Sequence, residues 1–256
     1  MVSAMRYNSN SNPVMSEKFW ENISGNNVMT YEGAMQKIGI LLGFTVISAL
    51  FTSAFSLEAL HNNNIGLVYL LSIGGAIAGF ILAMIIYIAR PKNPAPLMIT
   101  YAIIEGVFIG AMSSVMEYFY QGIVIQAILG TLAIFISMYF LYVSKVLRPT
   151  PTFNKIVISL TMSIMLLYVI SMVISLATPY QMPLLHSSSP MGIGLTVFIL
   201  VIAALNLIMD FGFIEQSVQN QTPKVGEWWG AFGMLITLIW IYIEVLRLLS
   251  KLRSRN

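Results

Sequence analysis

Seven long apolar runs constrain this chain more than any other feature; they fall at residues 38–57, 66–88, 97–112, 123–143, 156–176, 191–213 and 228–249. The hydrocarbon core of a bilayer is about 30 Å thick, and about 20 helical residues cross it. Lipid cannot satisfy a free peptide N–H or C=O, so a single run of this length crosses as an α-helix. The runs predict an all-α, polytopic membrane protein with seven transmembrane helices. Composition agrees with this. The chain is 57% hydrophobic and 9% charged, with mean hydropathy +0.81, which is too little charge to cover a fold surrounded by water. Short breaks of helix-stopping residues separate the runs: HNNN at 61–64, ARPKNPAP at 89–96, LRPTP at 147–151 and TPYQMP at 178–183. None has room for a further domain, and no internal repeat is visible. Three regions follow: a polar, partly disordered tail over residues 1–37, a seven-helix domain over 38–249, and a basic tail over 250–256.

Lys and Arg set the orientation, because cytoplasmic loops near helix ends carry the excess of them. With the N-terminus inside, Arg6, Lys18, Lys37, Arg90, Lys92, Lys145, Arg148, Lys155 and Lys224 all fall on the cytoplasmic side. The opposing loops around His61, Glu117 and His186 hold none. Arg247, Lys251, Arg253 and Arg255 break the pattern, since a seventh crossing carries them outside. Crossing is the expectation, and a re-entrant last segment is the alternative. The chain is thus expected in the plasma or inner membrane, as a multi-pass protein with a cytoplasmic N-terminus.

Several function classes are excluded on composition and motifs. There is no cysteine, so there is no disulfide, thiol nucleophile or thiolate metal site, and His61 and His186 alone make a zinc site unexpected. The net charge is +3, but the basic residues flank apolar runs as topology requires, so no nucleic-acid partner is expected. No P-loop, G-x-S-x-G elbow, H-E-x-x-H or dinucleotide fingerprint is present, and the chain reads as a non-enzyme. Asn22-Ile-Ser and Asn220-Gln-Thr match the glycosylation triplet but fall on the predicted cytoplasmic side. Trp228 and Trp229 read as interfacial anchors.

The chemistry is expected from ionisable groups at membrane depth. Each costs several kcal/mol, about 2.5–3.5 on insertion scales, and persists mainly where it is paired or lines a cavity. Glu105 lies within the third run, flanked by Gly106 and Gly110 in a small-xxx-small pattern that lets another helix approach closely. Asp210 lies near the inner end of the sixth, with Asn206 one turn before it. Glu244 lies late in the seventh, where Arg247 can pair with it locally. The seventh run also carries a stripe of Gly233, Thr237, Trp240, Glu244, Arg247 and Lys251 on one face. At about 1.5 Å rise per residue, Thr237 is about 13 Å deep, Glu105 about 12 Å, Asp210 about 5 Å and Glu244 about 24 Å. Asp210 and Glu244 are not expected to touch. A cluster of Arg90, Asp210, Glu105 and Thr237 near the cytoplasmic side is the expectation, with Asp210 and Glu105 as candidate metal-ion contacts.

IEGVFIGAMSS in the third run, YQGIVIQAILGT opening the fourth, AALNLIMDFGFIEQ in the sixth, and EWWGAFG with VLRLL in the seventh together resemble the Bax inhibitor (TMBIM) family, in its bacterial, YccA-like branch. The resemblance spans about residues 29–251. It implies a fold whose last helix is central with six around it, and activity as a pH-sensitive calcium leak. It further implies a pair of aspartates on the last two helices that share a proton, and an arginine ending the second helix that latches the pore. Asp210 matches the first aspartate and Arg90 the latch. A gapless alignment puts Thr237 where the second aspartate stands, and Glu105 is then the nearest substitute. Matching Glu244 instead requires a seven-residue insertion. The reading is a calcium or cation leak, with Ca²⁺ as permeant ion rather than bound cofactor and the lipid bilayer as surroundings. The alternative is a non-conducting regulator of a membrane protease or other membrane partner, and a proton-coupled transporter comes third.

Overall fold

The computed structural model describes residues 28–177, 185 and 187–255. Its described residues form seven helices: α1 Tyr31–His61, α2 Ile65–Ala89, α3 Ala95–Phe119, α4 Ile123–Val143, α5 Pro151–Ala177, α6 Pro190–Gln219 and α7 Gly226–Arg253. All seven are long and apolar enough to span a membrane. Most of the N-terminal tail, with Arg6, Lys18 and Asn22, lies outside the described residues, as do the 178–183 break and His186.

Most helices outrun their apolar cores, for local reasons. α1 starts at Tyr31, seven residues before the predicted boundary at 38, because Thr30 caps it. The Thr30 hydroxyl accepts from the Gly33 N–H at 3.0 Å, and Glu32 adds an acid to the first turn. α6 likewise continues to Gln219 rather than stopping at 213, and α7 runs through residues 250–253 of the predicted basic tail. These extra turns are polar and lie beyond the hydrophobic runs, so the helix outlasts the pattern that reveals it.

α7 is the central helix. It packs against α6, α1, α4 and α3, and its buried residues occur all along it, from Gly226 through Thr237 and Glu244 to Lys251. α2 and α5 stand farther out: α2 lies on α3 and, over fewer residues, α1, while α5 lies on α6. The tightest seam is α1 against α3. A Cβ on Gly106 would lie 2.5 Å from Thr45 O, and one on Gly110 would lie 2.4 Å from Ala49 O. The two glycines thus let the backbones meet, and the Ser48 hydroxyl donates across the seam to Ile103 O at 2.8 Å.

The two ends of α7 sit at opposite ends of the bundle, so it crosses and does not re-enter. At one end the preceding turn binds the start of α1, with the Met29 N–H donating to Thr222 O at 2.8 Å. Glu227 also accepts there from Thr30 N at 3.2 Å and pairs with Lys37 at 2.8 Å. At the other end Arg253 Nη1 donates to Gln121 O in the α3–α4 turn at 2.7 Å, and the Ser188 and Ser254 hydroxyls lie 2.5 Å apart.

Candidate functional site

Asp210 and Thr237 face each other across the seam of α6 and α7, the Thr237 hydroxyl within hydrogen-bonding reach of the carboxyl. Gly233, one turn before Thr237, faces the same seam, where a Cβ would meet Asp210 Oδ1 at an ordinary contact distance of 3.5 Å. The one hydrogen of the Thr237 hydroxyl is donated back to Gly233 O, at 3.2 Å. Asp210 is half-buried as a residue, yet its Oδ2 is sealed from solvent and has no hydrogen-bond partner. A sealed carboxyl oxygen without a donor is costly in lipid-like surroundings, which sets Asp210 apart from every other acid described below.

The contact corrects the expected depth. Because α6 ends at Gln219 rather than 213, Asp210 lies about 14 Å along the helix from that end, and Thr237 about 16 Å from the start of α7. The two are nearly level, and the gapless register places Thr237 opposite Asp210 in the fold.

Other expected members of the cluster lie elsewhere. Glu105 has the right depth but the wrong neighbours: it is buried beneath α2, where Gly79 leaves room for its carboxyl, and Tyr101 is its hydrogen-bonding partner. Tyr101 in turn meets Phe232 of α7 edge-on, with ring centroids 5.0 Å apart. Arg90 caps α2 in a left-handed conformation (φ 44°) with its guanidinium 5.9 Å from the Tyr87 ring centroid. α2 packs on α3 and α1, so Arg90 is not brought to Asp210. Asn206 turns toward α5, donating to Thr161 Oγ1 at 3.0 Å and to Ile202 O at 2.8 Å. Glu244 is fully buried near the far end of α7, where Arg247 Nη1 donates to it at 3.1 Å and the Tyr168 hydroxyl donates at 2.6 Å. Asp210 and Glu105, the candidate metal contacts, do not converge, and no group of three His, Cys, Asp or Glu side chains that could hold a metal ion occurs among the described residues.

An arginine held on the same helix as Asp210 is Arg148, in the α4–α5 loop. Its Nη1 donates to Glu215 Oε2 at 2.5 Å, and its guanidinium lies over the Tyr142 ring at 4.4 Å. The Tyr142 hydroxyl donates to the same Glu215 oxygen. Burial disfavours the Arg148 charge slightly, but the adjacent carboxylate outweighs it and raises the arginine above its ordinary value. Next in the chain, Pro149 fits against Gly212, where a Cβ would lie 2.3 Å from the proline Cγ. The loop is therefore held on α6 within one turn of Asp210. Sequence reasoning placed Arg148 only as a topology marker. The signal available was the acid at Glu215 five residues beyond Asp210, at a helix end that hydropathy alone puts in water.

The fold and this seam define a polytopic helical membrane protein built around a central helix that carries polar groups. The chain belongs to the Bax inhibitor 1 like family, whose model matches residues 12–254. No curated protein and no solved structure matches the chain.

Proposed function

We propose that this protein is a pH-sensitive leak for cations, Ca²⁺ among them, with Asp210 as the charged point on the path. The observation that carries the reading is the uncommitted Oδ2 of Asp210 at the seam of the central helix. An ionised carboxyl there attracts a cation, and a protonated one does not, so proton uptake changes what the seam can pass. Family membership supports a leak of this kind. Asp210, the Thr237 hydroxyl and nearby carbonyls supply fewer oxygens than the six to eight that hold Ca²⁺ firmly. That suits a transit point rather than a storage site.

The Arg148 loop is the closing element in this reading. An exposed ion pair is worth about 0–1 kcal/mol, and Arg148 and Glu215 retain 32% and 27% of their side-chain exposure. Such a pair holds the loop without locking it, as a gate requires. Lys37, Arg90, Lys92, Lys145, Arg148, Lys155 and Lys224 cluster at the end of the bundle where α1 begins, which favours a cell-membrane protein with that end cytoplasmic.

The test is Ca²⁺ flux into proteoliposomes loaded with a fluorescent indicator, across external pH 5–8. Wild-type flux is expected to vary with pH, and Asp210→Asn to flatten that dependence. Flux that keeps its full pH profile in Asp210→Asn removes Asp210 from the mechanism. No flux at any pH favours the non-conducting regulator.

A further inference from the structure

A cavity of about 870 Å³ lies at the end of the bundle where α7 finishes, far from Asp210. Phe119 of α3, Tyr168 and Ser171 of α5, and Arg247, Ser250 and Lys251 of α7 line it. It exists because α5 is an outer helix that packs along α6 and has no comparable backbone packing on α3 or α7. The space between them is a seam beside the bilayer, and apolar and cationic groups share its walls.

The charges at this seam do not cancel. Arg247 and Lys251 stand against one carboxylate, Glu244, leaving one positive charge. Of the other acids at this end, Glu58 belongs to the last turns of α1, and Glu117 is committed to the start of α4, accepting from Gly122 N at 2.5 Å and Val124 N at 3.1 Å. Lys251 is only 5% exposed and has no acidic partner among the described residues. Its ammonium donates to Gly192 O at 3.1 Å and Thr196 Oγ1 at 2.9 Å, which uses two of its three hydrogens. Arg247 makes its bonds to Tyr168 and Glu244 through Nη1 and keeps 29% of its side chain exposed, so the rest of the fork is free for an anion. A buried cation without a counter-charge costs several kcal/mol. The seam is thus complementary to a negative group.

We propose that this seam binds an anionic phospholipid, its phosphate between Arg247 and Lys251 with the Ser171 hydroxyl as a further donor, and an acyl chain along Phe119. A free phosphate offers the same charge but leaves most of the volume empty and the apolar wall uncovered. A lipid fills both, and it reaches the seam from the side without crossing water.

Thermal unfolding of the full chain in a neutral detergent tests this, with phosphatidylglycerol, phosphatidylcholine or sodium phosphate added and bound lipid counted by native mass spectrometry. Phosphatidylglycerol is expected to raise Tm by several degrees and to remain bound, and phosphatidylcholine to do neither. Arg247→Gln should weaken the phosphatidylglycerol effect at least tenfold. Ser171→Leu should do the same by filling the cavity, with every charge left in place, and it decides the matter if Arg247→Gln fails to fold. Equal effects of the two lipids, or an unchanged effect in the Ser171→Leu protein, overturn the proposal. A shift produced equally by sodium phosphate assigns the site to a free anion and overturns the lipid.

Discussion

At Thr237 the chain departs from what its family likeness implies, and one side chain carries the difference. The resemblance calls for two facing aspartates, but the structure sets a hydroxyl opposite Asp210. A threonine can donate one hydrogen bond and cannot hold a second negative charge, so the pair has one titrating member. Two carboxyls at such a spacing would share a proton and titrate in two coupled steps. Thr237→Asp should therefore broaden the pH profile of flux into two steps, whereas Thr237→Val should leave one step and shift its position. Both are read in the same proteoliposome assay across pH 5–8. A single, unmoved step in both variants would mean that position 237 takes no part. Gly233→Ala is the control: its Cβ makes only ordinary contact with Asp210 at 3.5 Å.

Among the helices, height along the membrane normal could be read from the sequence for Glu105 and Thr237 but not for Asp210, whose helix outruns its apolar run, and neighbours could not be read at all. Counting residues from a helix end placed Glu105 and Thr237 correctly at similar depth, yet Glu105 faces α2 at Gly79 and Asp210 faces α7 at Gly233. Depth follows from a rise of about 1.5 Å per residue, whereas the azimuth depends on which helix lies alongside. Lipid offers no hydrophobic drive to sort helices, so packing of small residues decides. The Gly106–Gly110 pattern did announce a close partner, but not that the partner is α1. Arg90 failed as the companion of Asp210 on both counts: it caps the end of α2 whereas Asp210 lies about 14 Å from the end of α6, and α2 packs on α3 and α1. The α1–α3 seam carries the prediction at this scale. Gly106→Leu drives a side chain into Thr45 O and Ser48, where overpacking typically costs about 1–3 kcal/mol. The seam offers no flexible side chain at the nearest contact, so the loss should reach the upper part of that range and lower Tm by several degrees. Gly74→Leu is the comparison, since nothing lies within 4 Å of a Cβ there, and it should unfold like wild type.

For the whole molecule, the unresolved question in the sequence was the basic C-terminus, which contradicts the charge rule if α7 crosses. Packing accounts for much of that contradiction. Positive-inside bias acts on charges free to interact with the cytoplasmic surface, and three of the four here are held against the bundle, although only Arg247 meets a carboxylate. Arg247 is paired with the buried Glu244, Lys251 is buried and bonded to the first turns of α6, and Arg253 is tied to Gln121 O. Their opposition to the crossing is thereby reduced, while the start of α7 is fixed at the other end by Glu227, which pairs with Lys37 and accepts from Thr30. A reporter that is active only in the cytoplasm should therefore give signal when fused before residue 28 and none when fused after Arg255. Removing the internal partners should weaken this arrangement. Glu244→Gln combined with Thr196→Val releases Arg247 and Lys251 from two of their partners, and it should shift a measurable fraction of the C-terminal fusions to the cytoplasmic side. A cytoplasmic C-terminus in the unaltered chain would mean that α7 does not cross, and the Asp210–Thr237 seam would then lose the geometry on which the leak depends.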